Sequence, residues 1–227
     1  MKAFGKVVLA FALVLALLLP SACFAQAPTT TPKVAVLPWV FTENGRATNS
    51  TKSSAVTTVE KMVVDLLAKV GLERVDDGKV TGVWSRDLGK ELPTGAAFPD
   101  DRDLLALGQK LDVDYVMVGN CAWRVRSVWV GFGPKTKAEC EVSVRVIDVK
   151  AGVVDYKTVA NSDSTKKEDP LAIAGTLLIT PIFTFVSGGP KTPHMQRSGG
   201  FATAKAVGGW ATKFATTGQK IKIDDKK

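Results

Sequence analysis

The sequence predicts an α/β fold: a mixed sheet, parallel in its first half and an antiparallel meander in its second, with helices packed on it. Three observations carry this. Residues 33–120 alternate short apolar runs with segments of helical periodicity. Residues 139–146 alternate strictly, Cys140, Val142, Val144 and Val146 against Glu139, Glu141, Ser143 and Arg145, as in an antiparallel strand with one wet face. Lys150-Ala-Gly152 then joins that strand to Val153–Ala160 by a tight hairpin.

Taken in order, Lys33-Val-Ala-Val-Leu-Pro38 reads as a short buried strand that the proline ends. Phe41 to Asn49 reads as a polar loop. A helix follows from Ser50, with Val56, Val59, Val63, Leu66 and Val70 on one face and Gly71 as its stop. Leu72–Val75 fits a second short strand. Residues 76–99 are rich in glycine and proline, with a short helix around Val80–Leu88. Asp100 or Asp101 caps a further helix that buries Leu104, Leu105, Leu107, Gly108 and Leu111 and ends at Asp112. Tyr115–Gly119 is a strand that continues amphipathically through Trp123, Val125 and Trp129 to a turn at Gly131–Lys135. The last apolar helix runs from about Phe201 to Phe214, before a charged tail over 218–227.

The N-terminus is an address. Lys2 and Lys6 precede the uncharged run Val7–Leu19, then Pro20 and Ser21, and Cys23-Phe24-Ala25 supplies the small residues a signal peptidase reads. Residues 1–25 are therefore read as a signal peptide cleaved after Ala25, and 26–32 as a Pro/Thr linker. Leu19-Pro20-Ser21-Ala22-Cys23 also resembles a lipobox, which makes Cys23 a candidate lipidation site. Both readings place the mature chain outside the cytoplasm, in the periplasm or on the periplasmic face of the outer membrane. A single domain over 33–217 follows.

Composition narrows the chemistry. The chain has 227 residues, 45% hydrophobic and 23% charged, which is globular composition. Its +8 net charge falls to +6 once Lys2 and Lys6 leave, since 28 − 22 = 6, and no dense arginine cluster points to nucleic acid. With one histidine, a His-rich metal site is excluded and a catalytic triad would have to use His194, which lies in a Pro/Gly/Ser stretch. No cofactor motif is present. Gly133-Pro-Lys-Thr136 and Gly189-Pro-Lys-Thr192 lack the length and the following helix of a phosphate loop. Asp76-Asp77 and Asp100-Asp101 read as caps and turns. Cys121 and Cys140 sit in strand-like stretches and read either as a disulfide, which an exported chain permits, or as two buried thiols. Trp123 and Trp129 share strand parity and read as core, or as an exposed pair that contacts glycan, peptide or membrane. Leu171–Val186 is almost wholly apolar, broken by Pro181, and shorter than the ~20 residues of a spanning helix. It reads as a buried helix and loop, or as a segment touching membrane or another subunit through Leu177, Leu178, Ile179, Ile182, Phe183 and Phe185.

Three segments carry a family resemblance. Val34-Ala-Val-Leu-Pro-Trp39, Leu107–Gly119 and Val142–Gly152 resemble, in order, the opening strand, a helix-to-strand segment and a hairpin of an envelope-protein group. That group is the periplasmic domain of the curli secretion channel family (CsgG-like) together with the TolB N-terminal-like modules. The resemblance covers roughly residues 33–160. It implies a non-enzymatic module for assembly or binding in the bacterial envelope, whose partners are envelope proteins or further copies of itself, with the outer-membrane surface as another contact. A curli-type outer-membrane secretion channel subunit is the alternative. The stretch between Gly119 and Val142 departs from a spanning hairpin, since it holds Arg124, Arg126, Lys135, Lys137 and Glu139 and alternates poorly after Phe132.

Overall fold

The computed structural model describes residues 31–49, 53–94, 97–130, 133–164 and 192–224. Its elements are β1 (Lys33–Val36), β2 (Val40–Glu43), β3 (Arg46–Thr48), α1 (Ser54–Lys69), β4 (Glu73–Arg74) and α2 (Asp77–Gly82), which runs into a π turn over Val83–Asp87. Then come α3 (Asp101–Leu111), β5 (Tyr115–Val130), β6 (Gly133–Asp148), β7 (Val153–Asp163) and α4 (Thr192–Asp224).

These strands form one seven-stranded mixed sheet around β5. β1 and β2 both run parallel to the same edge of β5, one after the other, with Val34 opposite Tyr115 and Val40 opposite Asn120. Pro38, which has no N–H to give a ladder, separates them. β4 extends the parallel half beside β1. On the other edge of β5 lies the antiparallel meander β5–β6–β7. The expected α/β architecture is therefore present, with helices on both faces.

Side-chain alternation sorts the core. Val34, Met117, Cys121, Trp123, Val142, Val144 and Val146 point to the face covered by α1 and α4. Ala35, Leu37, Val116, Val118 and Ile147 point to the face covered by α2, the π turn and α3. In α1 the periodic residues Val56, Val59, Val63 and Leu66 are all buried. Asp76 caps α2 by accepting from the Lys79 N–H, and Asp100 caps α3 by accepting from the Arg102 N–H. Gly108 brings α3 against the sheet, where a Cβ would sit 2.3 Å from Val149 Cγ2.

Three expectations are corrected. Phe41–Asn49 is not a loop: β2 and β3 pair antiparallel across Asn44-Gly45, both at positive φ, which is the usual chemistry of a two-residue hairpin turn. α1 starts at Ser54 rather than Ser50. The last helix is far longer than 201–214, running from Thr192 to Asp224 through most of the expected charged tail. Two of its glycines allow close packing. A Cβ at Gly199 would lie 2.8 Å from Trp123 Cζ2, and one at Gly209 would lie 2.5 Å from the Tyr156 hydroxyl.

Asp114 ties the parallel and antiparallel halves together. Its Oδ2 accepts the Lys33 N–H at 2.8 Å and its Oδ1 pairs with the Lys150 ammonium. Its own N–H donates to Lys33 O, and its carbonyl accepts from Val149 N. Burial pushes the Asp114 carboxyl up, but the hydrogen bonds from Lys150 and Lys33 and their charges outweigh it and hold the group below its ordinary value. A carboxylate whose folded pKa is depressed adds stability that is fully present above its unfolded pKa, about 4. That stability is lost as pH falls through the folded value. Asp114→Ala is expected to cost about 1–2 kcal/mol near neutrality and to flatten the acid limb of the stability curve. Urea unfolding from pH 2 to 7 checks this; an unchanged acid limb would contradict it.

Candidate functional site at the hairpin end of the sheet

β5 and β6 outrun their neighbours. The last β2 partner of β5 is Trp123, opposite Glu43, and the last β7 partner of β6 is Glu139, opposite Asp163. Beyond them, from Val125 opposite Ala138 to Val130 opposite Gly133, the two strands pair only with each other among the described residues. Asn44 braces this ribbon by accepting the Val125 N–H at 2.9 Å, and the Ser127 and Thr136 hydroxyls meet across it at 3.1 Å. Arg124, Arg126 and Lys135 are exposed along it. β6 already begins at Gly133, inside the stretch expected to be a turn, Gly131–Lys135. Arg124–Val130 is shorter than the roughly 9–11 residues of a tilted membrane-spanning strand.

The base of the ribbon is apolar and tightly held. Trp123 is 1% exposed, and its indole N–H donates to Met195 O at 3.0 Å. Its ring stacks on Phe41 at 6.1 Å, which in turn stacks on Trp39 at 6.5 Å. Trp123 is therefore a core residue and not an exposed contact residue, because α4 crosses directly above it. Trp129 lies on the ribbon opposite Pro134, but its side chain lies outside the described residues.

Cys121 and Cys140 are brought together on the same face as Trp123. They are free thiols, both buried, with Sγ atoms 3.2 Å apart. In the ladder Cys121 faces Val142 while Cys140 faces Trp123, so the two cysteines are diagonal neighbours. Burial, followed by the hydrogen bond and charge of Cys140, pushes the Cys121 thiol well above its ordinary value, so it is a poor nucleophile in the folded chain.

Ser164 closes the end of β7. Its N–H donates to Ala138 O at 2.9 Å, and its hydroxyl accepts the Ala138 N–H at 3.0 Å. His194 Nδ1 lies 3.2 Å from that same hydroxyl. His194 is thus in the first turn of α4 rather than in a loop. The pairing is structural: Ser164 is buried and its hydroxyl already caps the β6 edge. This contact has a consequence for topology. β7 ends and α4 begins at one point, the ribbon base. Leu177, Leu178, Ile179, Ile182, Phe183 and Phe185, like Cys23, lie outside the described residues.

On the opposite, wet face, Arg124, Glu139, Glu141, Asn161 and Asp163 line a shallow cavity of about 300 Å³. Lys137 bridges Glu139 at 3.0 Å and Asp163 at 2.7 Å. Among the described residues, no group of His, Cys, Asp and Glu is gathered to hold a metal ion. No described helix is long and apolar enough to cross a membrane.

No family model and no curated protein matches the chain. Solved structures resemble it. The LpoB C-terminal domain from Escherichia coli is 14% identical, covering 60% of this chain and 87% of that one, with a TM-score of 0.37. Lipoprotein GNA1162 from Neisseria meningitidis is 12% identical, covering 62% and 89%, with a TM-score of 0.40. TolB from Acinetobacter baumannii is 19% identical, covering 58% of this chain and 23% of that one, with a TM-score of 0.27.

Proposed function

We propose that this chain is an exported bacterial envelope protein that works as a non-enzymatic assembly or binding module, and that it docks an envelope protein or another copy of itself through the hairpin end of its sheet. The observation that carries this reading is the meeting of Ser164 and His194 at the ribbon base. The chain between them contains the apolar run Leu171–Val186. Its flanks are fastened at one place, next to a ribbon that extends past the rest of the sheet.

Above the ribbon base the sheet is already filled by Trp123, Cys121, Cys140 and Val142 against Met195 and Ala202 of α4. An apolar run of this composition, with Ser164 before it and His194 after it held together at the ribbon base, is suited to burying its surface against a partner. The leader over 1–25 and the three segments that resemble envelope modules support the same compartment. Export to the periplasm, with or without a lipid on Cys23, would place the ribbon among envelope proteins.

Deleting Leu177–Val186 tests the proposal. The variant is expected to keep the wild-type circular dichroism spectrum and a cooperative unfolding transition. It should lose the envelope partners, or the higher oligomer, that the wild type retains through purification. Unchanged partners, oligomer size and solubility would refute the docking role.

A further inference from the structure

We propose that Cys121 and Cys140 are joined by thiol–disulfide exchange while the exported chain folds, and that α4 then closes over the bond and seals it. Their Sγ atoms already lie 3.2 Å apart on one face of the β5–β6 ladder, each the partner of the other. The exchange needs export, which the leader over residues 1–25 supports, and it needs no docked partner.

The order of the chain sets the order of events. The two cysteines are 19 residues apart, on strands joined by one hairpin, so their meeting is a local event. Their cover is not local. Trp123 lies beside Cys121 on the same face and holds α4 through Met195 O, 72 residues further along the chain. Met195, Ala202 and Ala206 of α4 belong to the same apolar cluster as both cysteines. The thiols can therefore meet before α4 shields them. Once α4 is seated, Cys121 is 1% and Cys140 2% exposed. Burial also raises the Cys121 thiol, so the thiolate that exchange requires is scarce in the folded chain. The folded protein then neither makes nor breaks the bond readily.

The co-reactant is a disulfide donor of the kind an oxidising compartment supplies. One cysteine thiolate attacks a donor sulfur, which forms a mixed disulfide and releases one donor thiolate. The second cysteine thiolate attacks the protein sulfur of the mixed disulfide and releases the other donor sulfur. Two electrons pass from the cysteine pair to the donor, and the two protons lost by the cysteines end on the donor's thiols. The product staples β5 to β6 where the ribbon leaves the rest of the sheet.

Two arms test this on the full chain. In the first, the chain exported by its own leader is denatured in an alkylating reagent without reductant and digested with trypsin. The peptides Leu111–Arg124 and Ala138–Arg145 are expected as one linked species that reductant separates. Periplasmic protein with both peptides alkylated overturns the proposal. Protein found only in the cytoplasm sinks the export reading instead, and the second arm then decides the pairing. In that arm the purified, reduced chain is refolded from urea. Oxidised glutathione present from the start is expected to give the linked species. Added after folding, it should give that species at least about tenfold more slowly, and Trp123→Phe, which loses the bond to Met195 O, should narrow the gap. Equal rates before and after folding overturn α4 as the seal. Links between two chains, or glutathione held on either cysteine without a link, overturn the pairing.

Discussion

Trp123→Ala is expected to lower the unfolding free energy by about 3–5 kcal/mol, the range for removing a buried tryptophan. Trp123 is 1% exposed and sits where β2, β5, β6 and α4 meet. Truncation would open a void beneath Gly199, which approaches the indole closely because it has no side chain. It would also remove the stack with Phe41. Trp123→Phe keeps much of that packing and loses the bond to Met195 O, so it should cost about 1–2 kcal/mol. Urea unfolding of the two variants separates the contributions. A loss under 1 kcal/mol in the alanine variant would mean that α4 is not seated on the ribbon base.

Trp210→Ala is expected to cost a similar amount, about 3–5 kcal/mol, for a different reason. Trp210 is fully buried and joins α4 to the β7 side of the sheet. Its indole N–H donates to Asp155 Oδ2 at 2.8 Å, and Lys213 holds the other oxygen of that carboxylate at 2.6 Å. Tyr115 meets the ring edge-on at 5.4 Å, and Phe214 packs beside it at 5.9 Å. Trp210→Phe should retain most of the aromatic cluster while leaving Asp155 to Lys213 alone. Because Asp155 would then be less fully paired, the phenylalanine variant should still lose about 1–2 kcal/mol. Hydrogen exchange provides a second check: the protection of α4 should fall in Trp210→Ala while that of α3, on the other face, persists.

Much of this fold is written in local patterns. The buried face of α1, the aspartate caps of α2 and α3, and the alternation in β6 each follow from residues a few positions apart. The β2–β3 hairpin was legible too, since Asn44-Gly45 is a strong turn signal, but the polar residues around it obscure the strands. The first turns of α4 were harder because Gly199 and Gly200 argue against helix when read alone. The benefit of Gly199 appears only against Trp123, a residue distant in sequence.

The candidate site divides in the same way. Strand parity placed Cys121 and Trp123 on one face, and the β5–β6 register adds Cys140 to it. It could not say that α4 would cover that face, and so could not decide whether Trp123 was exposed. The pairing of Ser164 with His194 spans the whole apolar run and has no local signature.

In-cell photo-crosslinking asks whether the ribbon docks a partner. A photoreactive amino acid is placed at Arg126 or Thr136 on the ribbon, and at Lys110 on exposed α3 at the far end of β5. Discrete covalent adducts to an envelope protein or to a second copy are expected from both ribbon positions, and none from Lys110. Adducts from Lys110 with none from the ribbon would contradict it.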